Sequence, residues 1–338
     1  MKVLILDYLN ECVLEQNILG SGHTVVCLSC KHENELPIEI ETADAIIVYH
    51  HVHLSETTLK RMKACKVIVR GGVGFDNVDY RAAGKLGIPV VNVPDYGTND
   101  VADHAIALLL SLVRKIPVYH DALRNNPLGN WKPEIGGDIR RITGTKIGIV
   151  GLGRIGTAFA HRAKAFGMHV SFYDPYVPDG TDKAHHLHQH HSLESLVESC
   201  DYISIHAPLT SETRDMFNEQ LFSKLKLGAT LINVSRGEIV SPTAVFASLQ
   251  DNTLSAFGAD VFQPEPPNPD DALLLAYHKR EAWIEGRMIL TPHMAFYAEE
   301  SRNELRSKSA MRANEVLSGK RARNCINGEY LVNSRTPV

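Results

Sequence analysis

The chain has 338 residues, 44% of them hydrophobic, and a formal net charge of -4. That length exceeds what one ordinary core organises and suits two domains of about 150 residues each. Without a basic excess there is little attraction to nucleic-acid backbones or anionic membranes, so the expected partner is a small molecule, with no direct nucleic-acid or membrane binding.

The chain opens on a strand, Val3 to Leu6, with no cleavable leader pattern. No apolar run approaches the roughly 18 residues of a membrane span, and a cytoplasmic protein is expected. Apolar runs recur at Thr24 to Leu28, Ala45 to Val48, Val67 to Val69 and Pro89 to Val93, separated by amphipathic stretches. This alternation predicts βαβ units and a parallel sheet. Cys27-Leu28-Ser29-Cys30 has no second pair and sits at a strand end, which argues against a metal or redox motif. After the turn-rich Pro94 to Asn99 a helix is predicted from Asp100 to about Lys115, capped by Thr98 or Asn99, with a hinge at the turn. His120 to Arg141 carries Pro127, Gly129, Pro133, Gly136 and Gly137 and cannot be one regular helix. Trp131 there is either a subunit contact or a core residue under a loop.

From Lys146 the alternation resumes. The apolar strand Ile147-Gly148-Ile149-Val150 runs into Gly151-Leu152-Gly153-Arg154-Ile155-Gly156, a GxGxxG turn that opens a helix. Gly151 permits the tight turn, Gly153 lets backbone approach a pyrophosphate, and Gly156 lets helix and strand pack closely. The helix start offers unpaired N–H groups and a positive dipole end to that anion. Ile155, Ala158, Phe159, Ala163 and Phe166 recur at helical spacing, with Gly167 as the terminating glycine. The next strand, His169 to Tyr173, ends at Asp174, about 20 residues past the glycines, where a carboxylate accepts ribose hydroxyls and repels the extra phosphate of NADP. NAD is therefore the expected cofactor. The histidines at 185, 186, 188, 190 and 191 fall in a polar connector without metal-ligand spacing and are read as a solvated loop, with no metal site expected.

Further strands are predicted at Tyr202 to Ile205, Thr230 to Val234, Ala256 to Val261 and Met288 to Leu290. Three of them end in chemistry: Asn233-Val234-Ser235-Arg236-Gly237, Asp260 to Pro266, and Thr291-Pro292-His293. An arginine, a carboxylate and a histidine are the groups that interconvert a 2-hydroxy and a 2-oxo acid. His293 would exchange the proton, Glu265 would orient it and raise its pKa, and Arg236 would grip the substrate carboxylate bidentately. The amphipathic stretch Ser301 to Ser318 is too short for a domain and is expected to pack back on the first unit.

Together, Arg70 to Asp79, the glycine turn, Ser235-Arg236-Gly237, Pro264-Glu265-Pro266 and Thr291-Pro292-His293 resemble the NAD-dependent D-2-hydroxyacid dehydrogenases along nearly the whole chain. The resemblance implies two doubly wound, Rossmann/flavodoxin-like α/β domains with the active site in the interdomain cleft. One would be a discontinuous substrate domain, 1–97 plus 296–338, and the other a coenzyme domain, 98–295. It implies a homodimer with a dimerisation segment near 118–142, and an NAD-dependent oxidoreductase with Arg236, Glu265 and His293 at the catalytic positions. Substrate contacts would fall at Arg70, Gly72, Val73, Gly74 and Phe296. Coenzyme contacts would fall at Thr98, Gly151, Gly153, Arg154, Ile155, Gly156, Asp174, Ala207, Pro208, Val234 and Asp260. Within the family the coenzyme segment and Asn324-Cys325-Ile326-Asn327 resemble the C-terminal binding proteins, transcriptional corepressors that retain the dehydrogenase fold. Phe296 stands where that subgroup has tryptophan, which keeps an aromatic wall but loses the indole N–H. The alternative function is thus an NAD(H)-sensing, protein-binding molecule with incidental turnover.

Overall fold

Two parallel sheets organise the chain in the computed structural model, which describes residues Met1 to Val338. The chain divides into two compact units, Met1–Gly97 with Tyr297–Val338, and Thr98–Phe296.

The first unit begins β1 (Lys2–Ile5), α1 (Val13–Leu19), β2 (Thr24–Cys27), β3 (Ala45–Val48), α2 (Glu56–Arg61), β4 (Val67–Arg70), α3 (Tyr80–Lys85) and β5 (Val90–Asn92). The sheet order is β2-β1-β3-β4-β5, all parallel, the flavodoxin-like order. Val3, Leu4, Ile5, Ala45 to Val48 and Val67 to Val69 are fully buried, as the continuous apolar runs demand of strands covered on both faces. Asp7, just past β1, is also fully buried, and its carboxylate accepts the N–H groups of Tyr49 (2.6 Å), His51 (2.5 Å) and Val52 (3.1 Å). It ties the loop after β3 to the loop after β1.

The second unit contains α4 (Thr98–Val113), α5 (Ile116–Asn125), β6 (Lys146–Val150), α6 (Arg154–Ala165), β7 (His169–Tyr173), α7 (Thr181–His185), β8 (His188–Gln189), α8 (Leu193–Ser199), β9 (Tyr202–Ile205), α9 (Glu219–Phe222), β10 (Ala229–Asn233), α10 (Pro242–Gln250), β11 (Leu254–Ala259), α11 (Ala272–His278) and β12 (Met288–Leu290). Its parallel order is β12-β11-β10-β9-β6-β7-β8. The order reverses between β6 and β9, and ligands of open α/β sheets bind beyond the strand ends at such a switch point. The glycine turn follows β6 there, and Ala207 and Pro208 follow β9.

The chain then returns to the first unit with α12 (Glu299–Leu317), which packs on α1, β3 and β4. Arg306 of α12 reaches the fully buried Glu15 of α1 at 2.7 and 2.8 Å. Asn327 closes the edge at β5: its side chain accepts from Val90 N (2.9 Å) and donates to the carbonyls of Tyr80 (2.9 Å) and Ile88 (3.0 Å).

Three sequence expectations change. The histidine-rich connector is not merely a loop, because it forms α7 and the edge strand β8, where His188 and Gln189 pair with β7. A two-residue edge strand is too short to leave an alternating pattern. Trp131 is 78% exposed, which removes the core reading. Phe166 is the C-cap of α6, past its last turn, and so leaves the buried stripe formed by Phe159 and Ala163. No helix is long and apolar enough to cross a membrane.

Candidate active site

The glycine turn has the geometry its sequence demands. Gly151 holds φ +90, in the region that favours glycine, and a Cβ there would stand 2.7 Å from Ala207 N. A Cβ on Gly156 would stand 2.1 Å from the Gly151 carbonyl oxygen, so only glycine lets α6 start this close to β6. Around a Cβ placed on Gly153 there is no heavy atom within 4 Å. That space, beside the first N–H groups of α6, fits a pyrophosphate. Arg154 is exposed and Ile155 half-buried on that first turn, and Val234 is buried just past β10.

Asp174 stands at the end of β7. Its carboxylate accepts Leu152 N (2.8 Å) and Tyr176 N (2.9 Å), which ties the glycine turn to the end of β7. Arg162 of α6 donates to Asp103 (2.5 Å) and joins α6 to α4, whose first residue is Thr98. His206, between β9 and Ala207, packs its ring 4.9 Å from that of Phe159, and burial pushes its pKa down to about 3. It is neutral near pH 7 and adds no charge to the coenzyme side. These residues fit a dinucleotide.

The ends of β10, β11 and β12 assemble the chemistry. Buried Asn233 accepts Ser235 N (3.0 Å) and donates to the Arg236 carbonyl (2.8 Å), fixing the turn that presents Arg236. A Cβ on Gly237 would stand 2.1 Å from the Phe262 carbonyl, so this turn lies against the segment leading to Glu265. His293 Nδ1 lies 2.7 Å from Glu265 Oε2, and Glu265 Oε1 accepts Phe262 N at 3.0 Å. A carboxylate only accepts, so Nδ1 carries the proton of this bond. Burial alone would raise the Glu265 pKa; the hydrogen bond and charge of His293, the Phe262 N–H and Arg236 outweigh it and hold the carboxyl below its usual range. Arg236, Glu265 and His293 are thus brought together at adjacent strand ends. Phe296 stands edge-on to His293, with ring centroids 6.4 Å apart and planes at 86°.

His293 has φ +52, which a non-glycine residue holds only when its surroundings over-determine it. Asp260 supplies that restraint. Its carbonyl accepts His293 N (2.7 Å), and its carboxylate accepts Thr291 Oγ1 (2.6 Å), Met294 N (2.9 Å) and Ala295 N (2.8 Å). His104 of α4 meets Thr291 Oγ1 at 2.9 Å and lies 3.6 Å from the same carboxylate. Sequence reasoning missed His104, and it placed Asn233 and Thr291 in the strand-end segments without giving either a role. The structure gives those two their roles, Asn233 fixing the Arg236 turn and Thr291 bonding to Asp260. His104 is 189 residues away from His293 in sequence (293 minus 104), and no local pattern marks it.

In the first unit, Arg70 at the end of β4 is only 4% exposed. Its Nε donates to Asn77 (3.2 Å), Nη1 donates to Gly71 O (3.0 Å), and Nη2 lies 3.4 Å from His50 Nδ1. Gly72 holds φ +144, and a Cβ there would overlap the Arg70 guanidinium. The loop therefore needs glycine to fold over that arginine. Val73 is exposed and Gly74 half-buried.

Comparison with known proteins matches residues 106–295 to the NAD-binding domain of the D-isomer specific 2-hydroxyacid dehydrogenases. The D-3-phosphoglycerate dehydrogenase of Methanocaldococcus jannaschii is 31% identical over 97% of the chain, and C-terminal-binding protein 1 of Caenorhabditis elegans is 29% identical over 97%. The chain spans only 59% and 45% of these two relatives' lengths. Among solved structures, D-lactate dehydrogenase from Aquifex aeolicus, complexed with NAD and lactic acid, is 28% identical with a TM-score of 0.86, over 96% of this chain and 99% of that one. An NADPH-dependent glyoxylate/hydroxypyruvate reductase from Sinorhizobium meliloti is 27% identical with a TM-score of 0.83, over 100% and 98%.

Proposed function

The chain belongs to the D-isomer specific 2-hydroxyacid dehydrogenase family, and from that premise we propose that it interconverts a D-2-hydroxy acid and its 2-oxo acid with NAD(H). The observation that carries this reading is the 2.7 Å contact of His293 Nδ1 with Glu265, at the strand end adjacent to Arg236. Bound NAD(H) supplies or takes the hydride. The chain's own residues manage charge and proton. With Nδ1 committed to Glu265, Nε2 of His293 is the nitrogen that gives a proton to the developing alkoxide or takes one from the hydroxyl. Glu265 fixes the ring and stabilises the imidazolium. Arg236 holds the substrate carboxylate with its planar fork, which a lysine would not reproduce.

Arg70 and the Gly72-Val73-Gly74 loop are assigned to substrate, with Phe296 as an aromatic wall beside the reacting carbon. Asp260 acts on the proton-transfer loop as a brace, and a contact with the nicotinamide carboxamide is assigned to it as well. Homodimerisation through the region near 118–142 is supported by the exposure there of Leu128 (93%) and Trp131 (78%).

The test is NADH consumption by purified protein across 2-oxo acids from glyoxylate and pyruvate to hydroxypyruvate and phenylpyruvate, with His293→Ala alongside. Turnover of at least one acid that falls about 10²- to 10⁴-fold in the variant, with NADH affinity retained, is expected. Undiminished turnover in His293→Ala would refute the proton-transfer role. NADH binding without turnover of any acid would favour the nucleotide-sensing function.

A further inference from the structure

The loops after β7 and β9 of the second unit carry two side chains, Tyr176 and Glu212, to which the reaction assigns no role. In the sheet β6 lies between these strands and pairs with both. Neighbouring strands are about 4.8 Å apart, so the ends of β7 and β9 stand about 10 Å from each other, on either side of the glycine turn. The Tyr176 hydroxyl donates to Glu212 Oε2 and closes that gap, although the two residues are 36 apart in sequence. The hydrogen bond to Glu212, followed by desolvation and by the Glu212 charge, pushes the Tyr176 phenol above its usual range, so it stays a neutral donor.

Both ends of this bond are anchored. Tyr176 N donates to Asp174 Oδ1 (2.9 Å), and Asp174 Oδ2 accepts Leu152 N of the glycine turn (2.8 Å). On the other side, Thr213 Oγ1 donates to the Pro208 carbonyl (2.6 Å) and accepts Thr210 N (2.8 Å), while Glu212 N donates to Thr210 Oγ1 (3.2 Å). The root of that turn is fixed as well, because Ser235 Oγ donates to the Ala207 carbonyl and Ala207 N lies against Gly151. The contacts thus close a circuit from the glycine turn through Asp174, Tyr176, Glu212 and the 208–213 turn to Ala207 and back to Gly151. Tyr176 is 74% exposed and Glu212 is exposed too, so their bond is the link that opens without disturbing backbone.

We propose that Tyr176 and Glu212 form a strap over the adenosine half of the bound dinucleotide, and that opening of this strap sets the rate at which the coenzyme leaves. The strap rests on the NAD(H) reading of the glycine turn and adds the residues that retain the coenzyme there. A dinucleotide with its pyrophosphate at the start of α6 and its ribose on Asp174 runs its adenosine between the loops after β7 and β9, under the bond that joins them. One hydrogen bond between exposed side chains slows exit and still opens in every cycle. Tyr176 and Glu212 are positioning residues and take no part in proton or hydride transfer.

Stopped-flow NADH fluorescence on the full chain reads kon and koff for wild type, Tyr176→Phe, Glu212→Ala, Glu212→Gln and the double variant Tyr176→Phe with Glu212→Ala. Tyr176→Phe and Glu212→Ala should each raise koff about two- to tenfold, the range of one net hydrogen bond, with kon not slowed and the melting temperature kept. Glu212→Gln, whose amide oxygen still accepts the phenol, should fall between wild type and Glu212→Ala. The double variant should match the larger single effect, because the two residues share one link. ADP-ribose, which keeps the adenosine half and lacks nicotinamide, should leave faster by the same factor in surface plasmon resonance. An unchanged koff in Tyr176→Phe, affinity lost through a slower kon, a double variant whose effect is the product of the singles, or an effect confined to NADH overturns the strap. None of these readings needs turnover. If no 2-oxo acid is reduced while koff responds as described, the dehydrogenase reading fails and the strap stands; if His293-dependent reduction is found with koff unmoved, the strap alone fails.

Discussion

Replacing Gly153 and Gly156 separately by alanine should separate two roles of the glycine turn. At Gly156 the new methyl would lie 2.1 Å from the Gly151 oxygen, 3.1 Å from its carbonyl carbon and 3.3 Å from Ile149 Cγ2. Ordinary C···O contacts are about 3.3–3.6 Å, so the overlap exceeds ~1 Å and falls on backbone that cannot rotate away. Overpacking costs about 1–3 kcal/mol, and a backbone neighbour puts this case near 3; alanine recovers about 1 kcal/mol of helix propensity. The net loss of about 2 kcal/mol corresponds to a Tm about 4–8 °C lower for a unit of roughly 200 residues. At Gly153, with φ -75 and nothing within 4 Å, alanine meets no clash and costs under about 1 kcal/mol as a poorer N-cap. Its methyl occupies the pyrophosphate cradle, and NADH affinity should fall at least about tenfold, or about 1.4 kcal/mol. Thermal melts and NADH fluorescence titrations on both variants decide it. If Gly153→Ala binds NADH as wild type does, or Gly156→Ala melts with it, the geometric reasoning is wrong.

Three further outcomes follow from the contacts. Arg306→Ala strands the fully buried Glu15 without its cation and should destabilise the first unit by about 3–5 kcal/mol in denaturant unfolding; a loss below about 1 kcal/mol would show that Glu15 is not held in this way. Arg236→Lys keeps the charge but loses the fork, so kcat/KM for a reduced 2-oxo acid should drop by at least about tenfold while NADH binding holds, and unchanged kinetics would remove Arg236 from substrate binding. The depressed Glu265 pKa means the folded state stabilises the carboxylate, a contribution complete above the unfolded value and lost as pH falls through the folded one. Wild type should therefore melt above Glu265→Gln at pH 7, with the gap closing below about pH 4.3. A gap that widens on acidification contradicts the pairing.

Local rules account for much of the molecule. The parallel strands were legible as apolar runs because strands buried on both faces admit little else. The glycine turn was legible because its three glycines answer separate steric needs, now visible as a φ of +90 at Gly151, open space at Gly153 and a 2.1 Å approach at Gly156. Arg236, Glu265 and His293 were found because each follows a strand, and strand ends are where such sheets place ligands. The α7–β8 segment was missed because a short helix and a two-residue edge strand carry no periodicity to read.

Sequence alone therefore determined the order of most strands and helices, the nucleotide turn and the identities of the three candidate side chains, since each is written in neighbouring residues. Tertiary structure decided who restrains them. Asp260 and His104 hold the His293 loop, Asp7 holds the Tyr8 and His50 loops, and Arg306 neutralises Glu15 from the other end of the chain. It also decided which arginine is left without a carboxylate, because Arg302 and Arg306 lie one helical turn apart with similar sequence surroundings. Packing against Glu15 of α1 and Glu11 just before that helix gives Arg306 its partners and leaves Arg302 without a carboxylate. Pairings between residues far apart in sequence follow from sheet order and helix packing, and no local pattern encodes them.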